Sequence, residues 1–420
     1  MGHLGAFGQR TFASLAIRNF RLFFIGQAIS MSGTWMQTVA QGLLVLQLTG
    51  SGTALGIVTA LQALPVLFFG AWGGLIADRL PKRAILYATQ AVFGISSTVL
   101  GMVVLSGAVE LWMVYAVALL HGFMKVFDNP TRQTFVREMV GTERLTNAVS
   151  LNSTLMNLAR VIGPTLAGIL VATVGLAACF LINGISYIAI ILMLMRMNTS
   201  ELQPAPMVKR AKGQLMEGLR YAWSTPVIRN ILVMMALIGT FTYEFNVTLP
   251  LLAEFTLGTG ASGYAALTSA MGIGAVVGGL FTAGRRSTKP TMLVLSAALF
   301  GVSVTLVSFA PTMTFAFAAM VIVGFFSINF TSLANVTLQT TSDPTMQGRV
   351  MSLWSIAFLG TTPIGGPLVG FIGEHAGARW GLLAGGIAAL VAAGIGLQAL
   401  RHRIAGSGAG VPMAPERPVG

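Results

Sequence analysis

The stretch Gly73-Gly74-Leu75-Ile76-Ala77-Asp78-Arg79-Leu80-Pro81-Lys82-Arg83 decides the fold. It sets four charges within six residues between two long apolar runs, residues 53–77 and 84–107. A bilayer core of about 30 Å takes ~20 mostly apolar residues per helix, and each run is long enough. Charges between two such runs belong at a water boundary, where one helix stops and the next starts. Gly278-Gly279 and Arg285-Arg286 follow another apolar run, as a partial copy of the same device.

Working outward, the 420 residues are 55% hydrophobic and 9% charged, against roughly 25% charged in an ordinary soluble domain. Twelve span-length apolar stretches are legible, at 22–47, 53–77, 84–107, 111–135, 146–173, 176–195, 228–252, 262–283, 291–310, 313–337, 349–373 and 379–400. A membrane β-barrel would instead show short alternating segments. The expected fold class is an all-α polytopic membrane protein, with twelve transmembrane helices in two pseudo-symmetric six-helix bundles.

The net charge of +13 invites a nucleic-acid partner, but its placement points to membrane topology. Arg10, Arg18 and Arg21; Arg79, Lys82 and Arg83; Arg137 and Arg144; Lys209, Arg210, Lys212 and Arg220; Arg285, Arg286 and Lys289; and Arg349, Arg401 and Arg403 fall in every second loop. The alternate loops carry Glu110, Glu254 and Glu374, with Arg379 their one basic residue. Positive loops stay in the cytoplasm, so both termini are expected there, in a bacterial inner membrane and facing anionic lipid. The expected partners are the lipid bilayer and a small-molecule substrate, with no nucleic acid and a monomeric carrier. The lone Cys179 forms no intrachain disulfide. Four scattered His residues offer no metal-ligand spacing, and the N-terminal apolar run lacks a cleavable-leader layout.

The polar stretch from Arg196 to Arg229, with Pro204, Pro206 and the amphipathic Gln214 to Trp223, divides the chain. The expected units are a bundle over 1–195, a cytoplasmic hinge over 196–227, a bundle over 228–400 and an unstructured tail over 401–420. Echoes cross the hinge: Gly70 and Gly74 against Gly274 and Gly278; Asn129-Pro130-Thr131-Arg132-Gln133-Thr134 against Asn335-Val336-Thr337-Leu338-Gln339-Thr340; Gly163-Pro164 against Gly366-Pro367. A duplicated six-helix unit follows, with the binding site between the halves.

Gly74-x-x-x-Asp78-Arg79-x-Pro81-Lys82-Arg83 resembles the signature loop between the second and third helices of the major facilitator superfamily, with Pro81 where Gly is usual. Gly163-Pro164-x-x-x-Gly168 resembles that superfamily's antiporter motif, and the first half is similar to the branch containing the enterobactin exporter. The resemblance implies a carrier working by alternating access. It implies Asp78 as a clamp against the eleventh helix, Lys82 or Arg83 paired with Asp128, and Gly163, Pro164 and Gly168 as an exporter's kink. Ala118 stands where the fourth-helix motif carries Arg. In the partial copy, Ala283 or Gly284 occupies the place of the Asp clamp.

The remaining candidates come from ionisable and polar groups inside spans, which are costly unless partnered or wet. Glu244 lies well inside the seventh span. It serves proton coupling, is a structural carboxylate held by Tyr243, Asn246 or a basic group, or faces a wet vestibule; Asp128 is the second coupling candidate. Ser153, Asn157, Arg160 and Pro164 share one helical face. Arg160 holds an anionic substrate group or compensates Asp128 or Glu244. Lys125, Asp128 and Arg132 form a local network tied to the signature loop. Gln37, Gln41 and Asn246 complete the candidate cavity lining, among Met and aromatic residues suited to amphipathic cargo.

The expected function is therefore secondary transport: proton-coupled efflux of a small amphipathic molecule such as a siderophore or drug. No nucleotide-binding G-x-x-x-x-G-K-[ST] occurs, so the proton gradient is the energy source and no cofactor is expected. An uptake symporter or a lysolipid flippase of the same fold stays open. A membrane-embedded enzyme would need a clustered catalytic set, which is missing.

Overall fold

Backbone polar groups in lipid must be satisfied within the chain, which leaves helices as the spanning element for such apolar runs. The computed structural model describes residues 12–203, 214–283, 290–343 and 346–408. Within its helices the side chains of residues 71, 74, 75, 77, 78, 214, 215, 283 and 402–408 are outside that description. The first half contains α1 (Arg18–Thr49), α2 (Gly52–Arg79), α3 (Lys82–Leu105), α4 (Leu111–Val140), α5 (Leu145–Thr173) and α6 (Leu176–Met195). After the short amphipathic α7 (Gln214–Ser224) come α8 (Pro226–Phe241), α9 (Phe245–Leu251), α10 (Gly260–Ala283), α11 (Pro290–Ser308), α12 (Met313–Thr341), α13 (Gln347–Leu359), α14 (Thr362–His375) and α15 (Ala378–Gly408).

Among the described residues, eleven segments are long and apolar enough to cross a membrane, counting α8 with α9 and α13 with α14 as one span each. The 32-residue α1 is the twelfth by length and packing, wedged against α5 and α6. Phe68, Trp72, Ile95, Leu105, Trp112, Ile185, Leu280, Ile364 and Trp380 all point outward. In water such a surface would aggregate; against acyl chains it is the expected outside of a bundle.

Small residues let the helices meet, since lipid leaves no hydrophobic drive between them. The pattern repeats across the hinge. Gly73 and Gly122 join α2 to α4, as Gly274 and Gly324 join α10 to α12. Gly94 and Gly184 join α3 to α6, as Gly301 and Gly386 join α11 to α15. The close approach on α2 is made by Gly73 against the Val126 carbonyl, and Gly70 meets no neighbouring helix. The sequence echo Gly70/Gly274 is thus one turn out of register with the packing.

Two spans are broken. The seventh, expected to be continuous, is interrupted at Thr242–Glu244 and runs on through α9 into a π-helical turn, Leu252–Thr256. The eleventh breaks at Gly360. Helix α15 runs on to Gly408, past the boundary at 400 expected from the sequence. The two halves meet along α2–α14 and α5–α10. On the first line a Cβ on Gly56 would strike the Gly366 carbonyl, and one on Gly370 the carbonyl of Gly52. On the second, Thr165 and Ser269 share a hydrogen bond of 2.9 Å and Gly168 faces Ala265. This seam lies toward the acidic end of the molecule, where Glu374 accepts from Ser51 Oγ, Thr53 N and Thr53 Oγ1 at 2.7, 2.9 and 2.6 Å.

Candidate transport site

The signature loop is two residues long. Helix α2 ends at Arg79, Leu80 closes it with an N–H to the Ile76 carbonyl, and Pro81 starts α3. Neither Lys82 nor Arg83 reaches Asp128, contrary to the pairing implied by the resemblance. Lys82 Nζ pairs with Glu138 Oε1 at 2.6 Å, both side chains largely buried. Arg83 donates to the carbonyls of Leu194 and Met195 at 2.8 and 3.2 Å, tying α3 to the end of α6. The reason is level: α3 and α4 run antiparallel, and at 1.5 Å per residue Asp128 sits about 15 Å deeper than Glu138. Asp128 is level instead with Thr89 and Gln90. The side chains of Gly74 and Asp78, and the copy at Arg285 and Arg286, lie outside the described residues, and Arg79 is exposed.

Asp128 is 2% exposed and saturated. It accepts from Thr89 Oγ1 at 3.0 Å, Gln90 Nε2 at 2.7 Å and the Arg132 guanidinium, which also donates to Gln27 Oε1. The network expected from Lys125, Asp128 and Arg132 is therefore closed locally by α1 and α3, and not by the signature loop. Lys125 turns the other way, to Gln62 Oε1 at 3.0 Å.

Beside this cluster is a cavity of about 650 Å³. It extends from Gln41, Gln62 and Lys125 past Trp35 and Asp128 to Arg137 and Leu145 at the basic end. Gln37 lines it while accepting from Asn183 Nδ2 at 2.6 Å. His121, absent from the sequence-based candidates, lines it too, hydrogen-bonded to Ser96 at 2.9 Å and edge-on to Phe93. A lone His inside a span was a signal for it.

On α5, Gly163 lies against Ser32, Trp35 and Met36 of α1, and Pro164 is buried behind it. The Gly163-Pro164-Gly168 motif thus packs one helix on both α1 and α10. Arg160 compensates neither Asp128 nor Glu244: its guanidinium stacks 4.8 Å over the Trp35 ring. Asn157 donates to the Ser153 carbonyl at 3.0 Å and is not part of the cavity wall, whereas Ser153 is.

The break in the seventh span is anchored at each residue. Thr242 Oγ1 donates to the Gly385 carbonyl at 2.7 Å, and Tyr243 OH bonds Ser327 Oγ at 2.9 Å. Glu244 is 3% exposed. Its Oε2 lies 3.5 Å from where a Gly366 side chain would begin, and Oε1 has no hydrogen-bond partner among the described residues. Neither Tyr243 nor Asn246 holds it, and Asn246 is exposed outside the cavity wall. The Gly366-Pro367 copy therefore meets both Glu244 and, through Gly56 and Thr59, α2. Among the described residues no cluster could hold a metal ion.

Two six-span halves with matching internal packing, a polar cavity and glycine seams between the halves define a major facilitator superfamily transporter, a multi-pass membrane protein and not an enzyme. Residues 9–410 match the family described as transmembrane secretion effector, and the chain belongs to that family. It is 25% identical over 359 residues to the multidrug efflux pump Tap of Mycolicibacterium fortuitum, covering 82% of this chain and 88% of that protein. It is likewise 25% identical over 359 residues to the enterobactin exporter EntS of Escherichia coli O1:K1, covering 84% and 85%. Among solved structures, an inward-facing bacterial homologue of the human lysosomal transporter Spinster superposes with TM-score 0.74 at 14% identity, over 92% of this chain and 97% of that one. A POT family transporter in complex with 5-aminolevulinic acid also gives 0.74, at 12% identity, over 91% and 96%.

Proposed function

We propose that this transporter exports a small amphipathic molecule, of the siderophore or drug kind, across the bacterial inner membrane in exchange for protons. It works as a monomer, with the basic end and both termini in the cytoplasm, and draws on the proton gradient without a cofactor. Efflux is supported by the two exporters it resembles and by the Gly163-Pro164-Gly168 motif packed between α1 and α10.

The observation that carries coupling is Glu244. It is a buried carboxyl at a helix break, set against the Gly366 seam, with one oxygen unpartnered among the described residues. Thr362 hydrogen-bonds the Glu244 carboxyl, but no cation among the described residues pairs with it. An ionised carboxylate buried without a counter-ion is costly, so the seam closed at the acidic end favours the protonated acid. Proton release to the cytoplasm frees the seam to open outward with cargo. Reprotonation from outside closes it again, so each cycle moves one proton inward as cargo leaves.

The test is transport in proteoliposomes with a panel of amphipathic fluorophores of either charge. For any fluorophore carried, Glu244→Gln is expected to lower pH-gradient-driven accumulation about tenfold or more, while gradient-free counterflow persists. Undiminished gradient-driven accumulation in Glu244→Gln would exclude the coupling role.

A further inference from the structure

The first-half cavity wall contains a hydrogen-bond relay whose direction is set by chemistry. Lys125 Nζ can only donate, so the atom of Gln62 that meets it at 3.0 Å must be the carbonyl Oε1. The Gln62 amide nitrogen is thereby turned to Gln41, donating to Gln41 Oε1 at 3.5 Å. Gln41 must then offer its own NH2 elsewhere. That group is buried, on the cavity wall, with no acceptor among the described residues. Lys125 has two further N–H bonds to give, and no carboxylate among the described residues pairs with it. Asp128, one turn further along α4, is already taken by Thr89, Gln90 and Arg132.

The wall therefore carries more cations than carboxylates, with Lys125, Arg132 and Arg137 against the single carboxylate of Asp128. A buried donor without an acceptor is costly, so an oxyanion brought to this part of the wall supplies an acceptor that the chain itself does not. Close by, Trp35 gives the cavity a flat apolar face, and Arg160, which does not itself line the cavity, holds the ring in place from 4.8 Å. The volume of about 650 Å³ falls within the range of small-molecule sites.

We infer that the cargo is an aryl acid: a planar ring bearing a carboxylate or comparable oxyanion, the oxyanion received by Lys125 and Gln41 and the ring by Trp35. The inference rests on the transporter reading, since it takes the cavity as the cargo site, but it is independent of proton coupling.

The experiment is equilibrium dialysis of the full chain in nanodiscs, with no pH gradient, against benzoate and benzamide, salicylate and salicylamide, and 1-naphthoate and 1-naphthamide. In at least one pair the acid is expected to bind about tenfold tighter than its amide, the preference falling to about twofold or less in Lys125→Met and surviving in Lys125→Arg. Gln41→Leu, which keeps the charge, weakens the acid more than the amide and so narrows the preference; it decides the matter if Lys125→Met does not fold. The proposal is overturned if no acid outbinds its amide, if the preference survives Lys125→Met, or if millimolar phosphate displaces the acid as readily as another aryl acid does. A chain that binds acids yet fails to couple would break the antiport reading alone.

Discussion

The two halves share a fold and divide the work differently. The first half presents a cavity wall of charges and amides, Gln37, Gln41, Gln62, Lys125, Asp128 and Arg132, cross-tied between α1, α2, α3, α4 and α6. Around the break in the second half are rings and hydroxyls: Tyr243 packs against Phe245, Phe300 and Phe358 and bonds Ser327. Both broken spans, and the one carboxyl buried at a break, also lie in the second half. The repeated unit thus keeps its glycine contacts in both halves, while one half carries the polar cavity wall and the other the broken spans. The lesson is that packing positions are conserved between the copies because backbone approach admits few residues, whereas the groups facing the cavity were free to diverge.

If the first half is a rigid receptor, breaking its network should cost stability. Asp128→Ala leaves the Arg132 guanidinium without its counter-ion, and such removal from a buried pair costs about 3–5 kcal/mol. The measurement is unfolding in detergent; a loss near zero would mean that the Asp128 cluster does not hold α1, α3 and α4 together.

The seam should respond in the opposite sense, in conformational balance and not in unfolding. Gly56→Val drives a side chain into the Gly366 carbonyl. Overpacking of about 1–3 kcal/mol is expected to lower transport about tenfold or more and to lengthen the distance between the halves at the acidic end. Unimpaired transport would remove the α2–α14 contact from the cycle.

Between these lies Lys82–Glu138, which joins α3 to α4 within one half. A double-mutant cycle with Lys82→Met and Glu138→Gln should return about 1–2 kcal/mol of coupling, with little change in transport direction. The smallest effect belongs to Glu374→Gln. Its carboxylate caps the start of α2 across the seam, a charge contribution of about 0.3–1 kcal/mol that salt screens. The closed form should lose only a few-fold in population, less at high salt.

Much of this was legible from residues alone. Twelve spans and the repeated Gly-Pro pairs follow from local composition. Glu244 stood out because a charge inside a span needs a reason. What was hidden depends on which residues share a level or a seam. The break at Thr242–Glu244 contains neither Pro nor Gly and is held by Gly385 and Ser327, far away in the chain. Glu138 is the partner of Lys82 because of where antiparallel α3 and α4 meet. The Gln41–Gln62–Lys125 relay draws on three helices, and the Glu374 cap joins residues more than three hundred positions apart. No window along the sequence contains these pairs.

The claim that the second half moves and that Glu244 sets its position is tested most directly by a distance. Spin labels at Ser106→Cys and Pro311→Cys, in a Cys179→Ala background, report the separation of the two halves at the acidic end. Lowering the pH should shift the native protein toward the short distance, and Glu244→Gln should keep one pH-independent distribution weighted to the short distance. A Glu244→Gln protein that still lengthened on raising the pH, as the native one does, would contradict the account.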